Sequence, residues 1–238
     1  MEAWQRIYVA LDTTDLGKAR ELVQTLRGKV GGFKIGKEFF SAHGPDGVGA
    51  VLGGEPLFLD LKFHDIPNTV ASALRACARL HPRIVNVHAS GGAAMLAAAA
   101  QSVRESAEDQ ESDRPWLIAV TVLTSLDDQD LRAVGQRGLT EAQVLRLAKL
   151  AQQNGLDGVV CSPREIVALR ATCGPDFKLV VPGIRPDWAA VGDQKRIMTP
   201  SQAVKAGADV LVIGRPIAAA DNPIEAANRI AEELATVG

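Results

Sequence analysis

Short apolar runs alternate with longer amphipathic segments along the whole chain. The runs are "RIYVALD" (6–12), "VGGFKIG" (30–36), "PLFLDLKF" (56–63), "RIVNVHA" (83–89), "WLIAVTVL" (116–123), "LDGVVCS" (156–162), "KLVVPGI" (178–184) and "ADVLVIG" (208–214). Each is rich in Val, Ile and Leu and short enough to be a strand. The segments between them carry helix signals. Thr140 with Gln143, and Ser162 with Glu165, have capping-box spacing. Pro163 and Pro200 directly follow Ser162 and Thr199, where a first-turn proline is tolerated. "AAMLAAAAQSVRESAE" is built of strong helix formers, and Gly155 and Gly207 stand where helical patterns stop. "RESAEDQESDRP" reads as a surface turn after a helix, and "TSLDDQDLRAVGQRG" as a long loop after the fifth strand.

Eight strand-then-helix units without a break in composition predict one domain over residues 1–238. A helix between consecutive strands requires parallel pairing, and eight such units can close into a (β/α)8 TIM barrel. The alternative is an open doubly wound sheet, but no G-x-G-x-x-G follows the first run. A length of 238 residues suits a single α/β barrel, and 47% hydrophobic residues can fill its core.

The third run places charges where desolvation is expensive. In "PLFLDLKFHDIPNTV" (56–70), alternation puts Leu57, Leu59 and Leu61 on one face and Phe58, Asp60 and Lys62 on the other. In a barrel the leucines face the helices, and Asp60 and Lys62 point inward near the carboxyl end. That end carries the active site in such folds. A half-exposed antiparallel sheet would also alternate, but the other runs repeat the pattern. Asp12 ends the first run, Lys34 interrupts the second, and Arg185 and Arg215 follow the seventh and eighth. A set of Lys and Asp side chains converging there is expected to be mutually compensating. "VLVIGRPI" adds Gly214 and Arg215 after the last strand, where a backbone N–H and a guanidinium fork suit a phosphate; "PGIRP" after the seventh run strengthens this.

The remaining composition mainly excludes. A net charge of −2 and 4% aromatic residues give no basis for binding nucleic acid or a membrane surface. Cys77, Cys161 and Cys173 are far apart and form no CxxC pair, so they read as inert thiols of a reducing compartment. No signal-peptide pattern opens the sequence and no apolar run is long enough for a bilayer, so a soluble, cytoplasmic protein is expected. His43, His64 and His81 read as solvated. His88 reads as a hydrogen-bonded structural residue, with substrate contact as the alternative. No histidine pair has metal-ligand spacing.

"FLDLKFHDIPNT" resembles the D-x-K-x-x-D-I-x-x-T signature of the orotidine 5'-monophosphate decarboxylase family. "FKIG", "NVHASGG", "VTVLTSLDDQDL", "DGVVCSP", "VVPGIRP", "DQKRIMTP" and "VIGRPI" resemble its bacterial members, in the same order. One position departs, Val210 standing where a tyrosine is expected, with consequences for packing only. The resemblance implies conversion of orotidine 5'-monophosphate to uridine 5'-monophosphate (UMP) and CO2, the last step of de novo UMP biosynthesis, without metal or cofactor. It implies a homodimer with its sites at the subunit interface. Lys34, Asp60, Lys62 and Asp65 would form an alternating charged network, with Lys62 the proton donor and Asp60 against the substrate carboxylate. Asp65 would reach the neighbouring site, with Thr69 beside it. Asp12 and Lys34 would contact the ribose, Thr124 and Ser125 would lie near the pyrimidine, and Pro182 would line the pocket. Arg185, Gln194, Gly214 and Arg215 would hold the phosphate, under a closing loop after the seventh strand. Two rivals are a magnesium-dependent sugar-phosphate lyase of the same superfamily, which would want an acidic residue at position 34, and a catalytically silent nucleotide-phosphate binder.

Overall fold

The computed structural model describes residues 1–189 and 198–237. Eight parallel strands pair in chain order and close on themselves. They are β1 (Ile7–Ala10), β2 (Gly32–Gly36), β3 (Leu57–Phe63), β4 (Ile84–His88), β5 (Trp116–Val120), β6 (Gly158–Val160), β7 (Lys178–Pro182) and β8 (Val210–Ile213). β8 returns to β1 with Ile7 opposite Leu211 and Val9 opposite Ile213. The strands are shorter than the apolar runs that predict them. Leu11 and Val122 lie beyond the strand ends yet are 1% and 8% exposed, because the chain stays buried under the helices after it leaves the ladder. Apolar character marks burial there, not pairing.

Alternation along the strands separates two cores. Outward residues such as Ile7, Val9, Phe33, Ile35, Leu57 and Leu59 pack with helix residues including Val23, Leu26, Val70, Leu74, Met95 and Leu96. Inward residues Tyr8, Ala10, Phe58, Ile84, Ile118, Val180, Val210 and Val212 form a second cluster inside the barrel. This inner cluster fills the lower barrel with apolar atoms, and Lys34, Asp60 and Lys62 lie above it, at the strands' carboxyl ends. Gly32 makes room for Tyr8: a Cβ there would lie 2.7 Å from the tyrosine ring and 2.5 Å from the Pro56 carbonyl oxygen.

Two aspartates play one role on the barrel floor. In "GLDGVV" and "GADVLV", Asp157 and Asp209 precede β6 and β8. Asp157 accepts the amide N–H of Leu117 at 2.8 Å, and Asp209 that of Leu179 at 2.9 Å. Arg114 and Arg170 neutralise them, at 2.5 and 2.7 Å. Arg170 also donates to the carbonyls of Gly174, Pro175, Phe177 and Gly207, tying two loop ends together.

Several local expectations need correction. Thr140 and Gln143 form no capping box: the helix Thr140–Gln153 is capped by Leu139, without a side-chain bond. Thr140 instead sends its hydroxyl and its amide to Asp128, at 2.5 and 2.7 Å, so a carboxylate from another element serves the helix end. Asp128 opens a short helix, Asp128–Ala133, inside the segment expected to be a loop; Asp127 and Asp130 make its capping box. The helix Gly92–Asp109 runs into "RESAEDQESDRP", leaving only the second half as a turn. His43 lies within the helix Lys37–Leu52, bonds the Thr14 carbonyl at 2.7 Å and rests against Phe39. The Ser162–Glu165 box forms as expected and opens a 3-10 turn, Pro163–Glu165. Gly207, with φ +116°, ends the helix Pro200–Ala206 in a backbone conformation that glycine adopts readily.

Candidate active site

β1, β2 and β3 lie side by side, and their carboxyl ends bring four charged side chains together. Gly36 of β2 stands opposite Asp60 of β3, and Ala10 of β1 opposite Lys34 of β2. Lys34 Nζ is 3.1 Å from Asp12 Oδ1 and 3.5 Å from Asp60 Oδ2. Lys62 Nζ is 2.6 Å from Asp60 Oδ1. The result is an unbroken ionic chain, Asp12–Lys34–Asp60–Lys62. Its depth is graded: the Asp60 and Lys34 side chains are each 11% exposed, Lys62 26% and Asp12 63%. Of the two carboxylates in this chain of charges Asp60 is the deeper, and two ammonium groups offset its desolvation.

β3 reaches this arrangement through an irregularity. Leu59 pairs with Val85 and Phe63 with Val87, so four residues of β3 advance where β4 advances two. Lys62 lies in that bulge with φ +55°, a left-handed conformation uncommon outside glycine. Its amide N–H, without a ladder partner, donates to Asn86 Oδ1 at 2.7 Å. Asn86 Nδ2 donates in turn to Asp60 Oδ1, also at 2.7 Å. Sequence reasoning passed over Asn86. The signal was a lone amide at an inward position of an apolar strand, "RIVNVHA", and the side chain is fully buried.

The other expected residues fall into place unevenly. Asp65 is exposed and accepts the N–H of Ile66 at 2.7 Å, so within one chain, among the described residues, the ionic chain stops at Lys62. Thr69 is exposed in the first turn of the helix Pro67–Ala78, beside Ile66, which is 67% exposed. Thr124 and Ser125 sit exposed in the turn after β5. Pro182 ends β7 opposite Val212, on the inward side. Arg185 is buried, and its N–H bonds the Met198 carbonyl at 3.0 Å beside a bridge between Ile184 and Met198. Gly214 and Arg215 follow β8 and, with Asp12, Thr13, Lys18 and Pro223, line a cavity of about 440 Å³. Gln194, and most of the loop expected to close, lie outside the described residues. Trp188, at the start of that loop, stacks under the Arg229 guanidinium at 4.4 Å.

His88 ends β4 facing inward. Its ring contacts His64, 5.4 Å between centroids, and among the described residues it makes no hydrogen bond, contrary to the structural role expected. Burial pushes its pKa down to about 4, helped by the nearby His64, Lys37 and Lys62 and opposed by Asp60. The ring is therefore neutral near pH 7. No group of three or more His, Cys, Asp or Glu residues suited to a metal ion occurs among the described residues. No described helix is long and apolar enough to cross a membrane.

The chain is similar over nearly its whole length to proteins of known name. It is 56% identical to the orotidine 5'-phosphate decarboxylase of Paramagnetospirillum magneticum, over 96% of this chain and 97% of that protein. It is 55% identical to that of Trichlorobacter lovleyi, over 98% and 96%. Among solved structures, the orotidine 5'-phosphate decarboxylase of Lactobacillus acidophilus superposes with a TM-score of 0.85 at 37% identity, covering 96% of this chain and 98% of that one. The Pyrococcus horikoshii enzyme of the same name gives 0.74 at 25%, covering 96% and 99%. Residues 5–230 match the family profile described as orotidine 5'-phosphate decarboxylase / HUMPS, and with the strand-tip charges in the arrangement above, the chain belongs to that family.

Proposed function

We propose that this chain decarboxylates orotidine 5'-monophosphate to UMP and CO2, the last step of de novo UMP synthesis, in the cytoplasm. The observation that carries the reading is the ionic chain Asp12–Lys34–Asp60–Lys62, with links of 3.1, 3.5 and 2.6 Å, at the mouth of one barrel. All three cysteines are free thiols, as a reducing compartment allows.

The chemistry sets the demand. The bond from C6 to the carboxylate breaks, CO2 leaves, and the electron pair stays on C6 in the ring plane, where the carbonyls delocalise it poorly. Enzymes lower such barriers by about 8–23 kcal/mol, and this reaction needs the upper part of that range. Lys62 meets the demand twice: its ammonium faces the growing charge, then gives C6 a proton, which solvent later replaces. Asp60 lies against the substrate carboxylate, and Lys34 holds Asp60 from the other side. Charges fixed in this way act without reorganising during the reaction. Asp12 and Lys34 take the ribose, Thr124, Ser125 and Pro182 surround the pyrimidine, and Arg185, Gln194, Gly214 and Arg215 hold the phosphate. The phosphate does not react, but its binding energy orders the bound state.

Two copies complete two sites. Asp65 and the neighbouring Ile66 are both exposed at the mouth, which suits an acidic side chain carried into a partner's site beside an apolar contact. The magnesium-dependent alternative is disfavoured because the Lys34 ammonium sits between Asp12 and Asp60, where a cation's ligands would have to be. The test is the ultraviolet absorbance change on adding orotidine 5'-monophosphate with a chelator present. Turnover supports the reading; no turnover with orotidine 5'-monophosphate, with or without chelator, rejects it. Lys62→Ala is expected to lose decarboxylation almost entirely while still binding UMP, and near-normal turnover would remove Lys62 as proton donor.

A further inference from the structure

Asn86 closes a ring of hydrogen bonds around Lys62. The lysine's N–H donates to Asn86 Oδ1, Asn86 Nδ2 donates to Asp60 Oδ1, and the same Asp60 oxygen receives Lys62 Nζ, at 2.7, 2.7 and 2.6 Å. The amide's orientation follows from its partners, since a main-chain N–H must donate and a carboxylate must accept. Both ends of Lys62, its backbone and its ammonium, are thus tied to one buried carboxylate through one fully buried amide. The need for the tie is local. Lys62 has φ +55° where β3 slips against β4, and the regular ladder gives its N–H no acceptor. Among side chains of this length, only an amide both accepts and donates without charge. An aliphatic residue would leave the Lys62 N–H without a buried partner, and a carboxylate would face Asp60.

We infer that Asn86 is a positioning residue for the decarboxylation, locking the left-handed turn at Lys62 and the rotation of Asp60 so that the ammonium meets C6. This rests on the role proposed above for Lys62. Asn86 need not touch the substrate; it acts through the two residues that do.

The experiment compares Asn86→Ala and Asn86→Asp with Lys62→Ala, in the intact protein. It measures kcat and KM for orotidine 5'-monophosphate, the Kd of UMP, and the Kd of a UMP analogue bearing an oxyanion at C6. Misplacement by about an ångström can reduce rate about a hundredfold, so Asn86→Ala should lower kcat by that order. KM and the UMP Kd should stay within about threefold, because the ground state does not use the ammonium's aim. Affinity for the C6 oxyanion should fall with kcat. Asn86→Asp preserves volume and remains informative if the alanine variant does not fold. Its carboxylate removes the donor to Asp60 and sets a second negative charge against it, so kcat and affinity for the C6 oxyanion should fall at least as far as in Asn86→Ala. The inference is overturned if Asn86→Ala keeps kcat within about threefold, or loses UMP affinity as much as kcat. It is also overturned if Asn86→Asp keeps kcat within about threefold of the wild type. Near-normal turnover in Lys62→Ala would instead unseat the role of Lys62 itself.

Discussion

The charged residues at the strand tips range from nearly buried to well exposed, and exposure decides what removal of each does. Arg215 is exposed after β8, so Arg215→Ala should leave the fold intact and reduce kcat/KM about a hundredfold or more, as expected for loss of a charge-assisted anion contact. Steady-state kinetics checks this, and unchanged kcat/KM would take Arg215 out of the phosphate site. His88 makes a prediction in pH. Its folded pKa of about 4 lies below the ordinary 6.5, so between those values the unfolded chain binds a proton that the folded one does not. Stability therefore rises with pH across that window, and acidification through it destabilises the fold. His88→Asn should flatten the slope of stability against pH between about 6.5 and 4, read from denaturant melts. An unaltered slope would assign the acid sensitivity to other groups.

At the scale of single elements, β3 holds the sequence's strongest signal and its least legible feature. Alternation in "PLFLDLKF" correctly separates leucines facing the helices from Asp60 and Lys62. It does not reveal the bulge, because the two-residue period of a strand carries no information about the neighbouring strand's register. Asn86 was hidden for the same reason, since its partners lie 24 and 26 residues away. The eight strands were legible because parallel strands are buried on both faces, whereas their ends were not, since Leu11 and Val122 are as buried as strand residues. Asp128 shows another limit: a helix end can be served by a residue from a different element. The bulge itself can be tested. Lys62→Ala and Lys62→Gly both delete the ammonium and differ at the backbone. With φ +55° the glycine variant should be the more stable by about 1 kcal/mol, reversing the order usual in regular strands. Equal midpoints in urea would show that the turn relaxes once the side chain is gone. On the floor, Arg170→Ala removes donors from five acceptors, and a loss of about 2–3 kcal/mol is expected in the same melts.

For the whole molecule, the proposed two-chain site has a consequence that mixing can check. Lys62→Ala and Asp65→Ala should each be almost inactive alone. If Asp65 serves the partner's site, a hybrid dimer holds one site with both residues intact. Random re-pairing makes half the dimers hybrid with one good site of two, so about a quarter of wild-type activity should return. No recovery after verified exchange would confine Asp65 to its own chain. The inner apolar cluster gives a last consequence. Tyr8, Phe58, Ile84, Ile118, Val180, Val210 and Val212 pack beneath the charges and part them from the amino end of the barrel. In the proposed reaction the nucleotide, CO2 and the solvent proton would therefore all pass the carboxyl end. With the phosphate held as proposed, CO2, small and uncharged, would leave before the nucleotide does.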